Sequence, residues 1–292
     1  MTTGSVTMPS ARADTAFARA VPTTTLGGMP IAALDMTETA ELMLSAAESR
    51  PRPNRPLFLT SVNGEVLSRV ARDQAFARIM AQADLVSADG QSLVLASRCM
   101  GARALPERVA TTDLFHIVAE GAIRRNLTFY LLGASEAENQ RAVDNVRRLH
   151  PGLRIVGHSH GYLQGDALAE KVRAIDALAP DILWLALGVP LEQRFVQEFA
   201  PLLPHVGIIK TSGGLFNFLS GSRTRAPNWM QRWSLEWLWR IKEEPSRLFW
   251  RYATTNPHAM FLMIARSRAV SGIRASLHRA IVSRISSFGR VP

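Results

Sequence analysis

From residue 37 to residue 214 the chain alternates between two patterns. Short apolar runs of four to seven residues are separated by stretches whose apolar positions recur every three or four residues. The runs read as buried strands and the stretches as amphipathic helices. The predicted strands are Leu57–Val62, Asp84–Ser87, Leu127–Leu132, Leu153–Gly157, Asp181–Leu187 and Val206–Lys210. The predicted helices are Thr37–Ser49, Glu65–Gln82, Gln91–Met100, Glu136–Leu149, Asp166–Ala179 and Leu191–Phe199. Strands that are apolar throughout and alternate with helices imply an α/β fold: a Rossmann-like parallel sheet with helices on both faces. Residues 1–22 lack periodicity and read as a disordered tail, so the α/β domain is expected over 23–221.

Charge redraws the last quarter. Residues 222–292 hold thirteen Lys and Arg against three Glu, the whole of the chain's formal excess of +10, and five of its six tryptophans. This composition suits a basic helical appendage that lies on an anionic membrane surface, with Trp at the headgroup level. Trp229, Trp233 and Trp237 are spaced to line one helix face, and Ile273, Leu277, Ile281, Ile285 and Phe288 form a second stripe with arginines between them. The same composition leaves open a non-enzymatic module that binds membrane or nucleic acid through the C-terminus. A single cysteine, Cys99, argues against a disulfide framework and a cysteine-cluster zinc site. No 18-residue apolar stretch and no basic-then-apolar N-terminus is present, so a cytoplasmic, peripheral location is expected.

Candidate chemistry clusters just past the predicted strand ends, where open α/β sheets bind ligands. Gly133, Gly188, Gly213 and Gly214 fall there, as do Asn63 and Asp89. Asp89 could act as a general base or cap the helix at Gln91. Asn63 could bind a ligand or cap a helix. Arg108 could grip a phosphate or form a surface ion pair. The chain has neither GxGxxG nor GxxxxGK[ST], which argues against a nicotinamide-dependent oxidoreductase on the same scaffold. No Asp-x-Asp and no metal-ligand spacing of histidines occurs, so neither a metal nor a cofactor is expected.

An ordered series of motifs resembles the WecG/TagA/CpsF glycosyltransferases, glycosyltransferase family 26. It comprises Ser61-Val-Asn63, Asp89-Gly90, Pro106-Glu-Arg-Val-Ala110 with Asp113, Leu131-Leu-Gly133, His160-Gly-Tyr162, Leu187-Gly-Val-Pro190, Gly213-Gly-Leu-Phe-Asn217 and Arg225-Ala-Pro-Asn-Trp229. The resemblance implies an inverting, metal-independent transfer from a UDP-sugar to a polyprenyl-diphosphate-linked saccharide. It also implies an appendage that closes the site at the membrane, with no nucleic acid as partner and a homo-oligomer open. Asp89 aligns with the family's proposed base, Ser61 and Asn63 with its Thr-x-Asn pocket, and Arg108 with its arginine. Gly133, Gly188, Glu192, Gln193, Gly213 and Gly214 are then expected at the nucleotide-sugar, and Arg225 and Arg232 at the diphosphate and acceptor. Three departures stand out. The usual Lys-Gln-Glu is Leu191-Glu192-Gln193, a glycine is Thr111, and the usual Phe-Asp is Phe216-Asn217. They imply a donor sugar other than the N-acetylmannosamine type and leave open which of Glu192 and Gln193 meets the nucleotide.

Overall fold

A computed structural model describes residues 21–49, 55–100, 103–227, 229–230, 233, 235–243 and 245–267. It opens with a hairpin, β1 (Thr23–Leu26) and β2 (Met29–Ala32), followed by α1 (Met36–Glu48), β3 (Leu57–Val62), α2 (Gly64–Arg72), α3 (Gln74–Met80), β4 (Leu85–Ala88), α4 (Gln91–Met100) and α5 (Thr111–Arg124). The chain continues through β5 (Thr128–Gly133), α6 (Glu136–Leu149), β6 (Arg154–Ser159), α7 (Gly165–Leu178), β7 (Ile182–Ala186), α8 (Leu191–Phe199) and β8 (Ile208–Thr211). It ends with α9 (Leu215–Leu219), α10 (Glu236–Glu243) and α11 (Pro245–Arg266).

Six strands form one parallel sheet in the order β4-β3-β8-β7-β5-β6. Because side chains alternate across a strand, each apolar run feeds two cores. Phe58, Tyr130, Leu183, Leu185 and Ile209 pack on one face with Val66, Phe76, Leu93, Val172 and Phe195 from the helices. Leu59, Phe129, Leu131, Trp184 and Ile208 pack on the other with Met43, Leu114, Phe115, Val143 and Phe216. The Rossmann-like reading of the sequence therefore holds, with helices on both faces.

Three local differences have physical causes. The helix expected over 65–82 is broken at Asp73, whose backbone is extended and whose carboxylate accepts from the Phe76 N–H at 3.0 Å, capping α3. A residue that competes so well for a cap ends one helix and starts the next. The hairpin β1–β2 precedes the elements that the sequence pattern predicts. It turns on Gly27 and Gly28, both at positive φ (58° and 90°), and inserts Leu26, Met29 and Ile31 into the first core. Helix α5 carries no start signal in the sequence either: its N-cap, Ala110, offers no side-chain acceptor.

The C-terminal segment shares the main core. Ala259, Leu262 and Met263 of α11 are buried in the same cluster as the α2 residues Val66 and Leu67. Ser68 and His258 hydrogen-bond at 2.8 Å, and Arg251 pairs with Glu65 at 3.0 Å. The change of composition near 220 thus marks a change of surface chemistry and does not mark the end of the core. The tryptophan stripe is interrupted, because Trp233 lies in a turn and Leu235 is non-helical before α10 begins. The second stripe, 273–288, and Arg232 lie outside the described residues. No helix among the described residues is long and apolar enough to cross a membrane.

Candidate functional site

The parallel sheet aims all of its strand C-termini at one edge, and a cavity of about 1170 Å³ opens there. Its floor is made at the strand ends: Ser61 near the end of β3 and Asn63 just after it, Asp89 and Gly90 after β4, Ala134 after β5, Gly188 after β7, and Ser212, Gly213 and Gly214 after β8. Its far wall is the C-terminal segment, with Arg223, Glu236, Arg240, Arg251 and Tyr252.

Asp89 is about one quarter exposed and sits at the centre of a hydrogen-bond cluster. Arg108 Nε donates to its Oδ1 at 3.2 Å. Thr111 donates to Oδ2 from its hydroxyl at 3.3 Å and from its backbone N–H at 3.5 Å. Asp89 therefore supplies the acceptor that α5 lacks locally; the helix is capped from another strand, which is why its start was illegible in the sequence. The expected cap at Gln91 is not what the carboxylate does.

Arg108 bridges Asp89 to Glu236 of α10, so it ties the C-terminal wall to the floor. Burial works against its charge, but the two carboxylates overcome this and hold it more firmly protonated than a free arginine. Asn63 acts as a cap: its Oδ1 accepts from the Val66 N–H at 3.1 Å at the start of α2, while the residue stays on the cavity wall.

Lys210 belongs to none of the sequence motifs; its only signal is that it is the one charge in the run Val206–Lys210. It is 1% exposed and donates to Ser61 Oγ and to the Thr211 carbonyl, both at 2.9 Å. Burial lowers its pKa to about 8, partly offset by Asp89 and Glu192. Glu192 is 3% exposed and lines the cavity, whereas Gln193 is fully buried behind it and its Oε1 has no partner among the described residues. Glu192 Oε2 accepts from the Gly213 N–H at 2.9 Å. Burial raises its pKa to about 7, against the pull of the Gly213 and Ser212 N–H groups and of Lys210.

Several expected site residues lie elsewhere. Gly133 is not among the cavity-lining residues: its φ is 145°, and a Cβ there would meet the Ala186 carbonyl oxygen of the paired strand β7 at 2.2 Å, so glycine is required by the close backbone approach. Gln193 is displaced from the wall by Glu192. Arg225 does not line the cavity; it forks onto Asp113 in the first turn of α5, with one arm at 3.1 Å. The cavity cations are instead Arg108, Arg223, Arg240 and Arg251. For Arg240, burial opposes the charge, but Tyr252, Glu236 and Asp89 outweigh it.

The profile that describes the Glycosyl transferase WecG/TagA/CpsF family matches residues 24–271, from the hairpin to just past α11. The chain belongs to the WecG/TagA/CpsF family and is a glycosyltransferase. It is 28% identical over 216 residues to an N-acetylglucosaminyldiphosphoundecaprenol N-acetyl-beta-D-mannosaminyltransferase of Bacillus spizizenii, covering 74% of this chain and 82% of that one. It is 30% identical over 189 residues to the protein of the same name from Bacillus subtilis, covering 65% and 72%. In this WecG/TagA/CpsF chain the expected base and the pocket residues Ser61 and Asn63 share one cavity with the C-terminal arginines.

Glu192 gives the site a pH signature. Its reference pKa is 4.5 and its folded value about 7, so between these the folded chain holds an extra proton. Stability contributed by this group is present at low pH and is lost as pH rises across that window. Lys210, lowered from 10.5 to about 8, acts in the opposite sense and only above about 8. The melting temperature should therefore fall more steeply between pH 5 and 7 in the native chain than in Glu192→Gln. Equal slopes in thermal melts would show that the carboxyl is not held neutral.

Proposed function

We propose that the chain is an inverting transferase that moves a sugar from a nucleotide-diphosphate donor, UDP-linked by family resemblance, to a hydroxyl of a polyprenyl-diphosphate-linked saccharide in cell-surface glycan synthesis. One observation carries this reading: a carboxylate at the cavity floor, Asp89, faces a wall of arginines contributed by the C-terminal segment. In-line displacement needs both. Asp89 takes the acceptor's hydroxyl proton as the acceptor oxygen bonds to the anomeric carbon. The bond from that carbon to the donor's diphosphate breaks on the opposite face, and its electron pair leaves with the diphosphate. Arg223, Arg240 and Arg251 are the cations placed to meet that developing charge. Arg225, engaged with Asp113, is not needed for it, and the Gly213 N–H is free for a phosphate only if Glu192 yields it.

The relatives' printed name makes N-acetylmannosamine the first donor to try. Glu192 and Gln193, exchanged relative to the family pattern, and Asn217 on the wall support a different sugar. Screening UDP-sugars against a short lipid-diphosphate saccharide, with products read by mass spectrometry, decides this. UDP release without a glycosylated lipid from any donor would overturn the acceptor assignment.

Peripheral attachment at the inner membrane face completes the reading. On α11, Phe249, Trp250, Met260, Phe261 and Ile264 are exposed along one side, and Met260 also lines the cavity. Such a face suits a bilayer that presents the lipid-linked acceptor. Replacing Trp250 and Phe261 by Ala should weaken co-sedimentation with phosphatidylglycerol vesicles by about tenfold or more, since each large apolar side chain contributes roughly 1.5–3 kcal/mol when fully buried. Turnover of a water-soluble acceptor should be unchanged; undiminished vesicle binding would move the membrane face elsewhere.

A further inference from the structure

Lys210 has no part in the mechanism above, yet it is a fully buried ammonium beneath the catalytic floor. Its surroundings fix the direction of a hydrogen-bond chain. An ammonium only donates, so Ser61 Oγ must accept from Lys210 Nζ, at 2.9 Å. An ionised carboxylate only accepts, so the Thr111 hydroxyl must donate to Asp89 Oδ2, at 3.3 Å. The remaining contact, Ser61 Oγ to Thr111 Oγ1 at 3.3 Å, then has one consistent orientation, with Ser61 donating. The two hydroxyl contacts are long, as catalytic contacts often are before substrate seats.

We propose that Lys210, acting through Ser61 and then Thr111, and Thr111, by its own contact, are positioning residues that aim and hold the ionised carboxylate of Asp89. This rests on Asp89 being the base. Thr111 is what connects the chain, and it stands where the family pattern has glycine, so the device belongs to this sequence. The other charges facing Asp89 and Lys210 are Arg108 from the loop before α5, Glu236 and Arg240 from α10, and Glu192 from α8. Arg108 holds Oδ1 while the chain holds Oδ2, so each carboxylate oxygen has its own support.

The test is a double-mutant cycle on kcat combined with pH–rate profiles. Thr111→Val keeps shape and removes the hydroxyl; Lys210→Met keeps length and removes the charge. Each should lower kcat by about tenfold or more with donor KM held within about threefold, and the double variant should be little slower than Lys210→Met alone. The acid limb of the kcat profile should move to higher pH in both, because each change removes support for the anionic carboxylate. A role in packing alone would not move that limb. Losses that multiply, or a limb that stays in place, overturn the proposal. If Lys210→Met does not give a cooperative melt, the Thr111→Val limb decides by itself. An Asp89→Asn enzyme that retains activity within tenfold would instead remove the base assignment, so the two failures are told apart.

Discussion

Asp89→Asn should lower kcat by about 10²–10⁴-fold, the range that a positioned general base contributes. The amide keeps the size of the side chain, so the cavity and its lining should persist. It cannot take the acceptor's proton, which leaves displacement to an un-ionised hydroxyl. Donor affinity should hold or improve, because removing the carboxylate removes a negative charge from a site that must receive a diphosphate. Arg108 would keep its other partner, Glu236, so the link between floor and wall should survive. Steady-state kinetics with saturating acceptor, together with donor titration by calorimetry, separates these effects. A loss of less than tenfold in kcat would show that another group accepts the proton.

Arg240→Met should cost about 10²-fold in kcat, comparable to removal of one donor that stabilises developing negative charge. Arg240 lines the cavity on α10, lies over the Phe218 ring with 5.8 Å to its centroid, and is close enough to Asp89 to feel its charge. On the reading proposed above, a cation on this wall meets the charge that develops on the leaving diphosphate. Methionine retains the apolar stem that packs there, so the loss should appear in turnover and in UDP product inhibition more than in stability. Arg225→Met is the informative contrast. Its guanidinium is committed to Asp113 at the start of α5, so it should lower the melting temperature by a few degrees and leave kcat within a few-fold. If Arg225→Met proved as damaging to turnover as Arg240→Met, the assignment of the leaving-group cations would have to be reversed.

Much of the architecture was legible because parallel sheets write themselves into sequence as apolar runs. Leu57–Val62, Gln91–Met100, Glu136–Leu149 and Leu191–Phe199 coincide with the observed elements residue for residue. The hairpin was not, because its strands, three threonines before Leu26 and a proline inside Met29–Ala32, form no continuous apolar run. The arginines were partly legible: composition put a cationic segment at the C-terminus, but it could not say which side chains would turn inward. Arg225 was the more conspicuous by motif, yet Asp113 holds it, and Arg240 took the cavity because α10 is anchored there through Glu236 and Arg108.

The sequence alone determined the strand–helix alternation, the family and the carboxylate past β4, since each depends on neighbours along the chain. Tertiary structure decided what those groups face. Only folding brings Asp89 to the unfilled start of α5, sets Lys210 beneath Ser61, and turns Glu192 toward the Gly213 amide with Gln193 behind it. Those contacts join residues 21 to 149 positions apart, and their strength comes from burial, which no local pattern records.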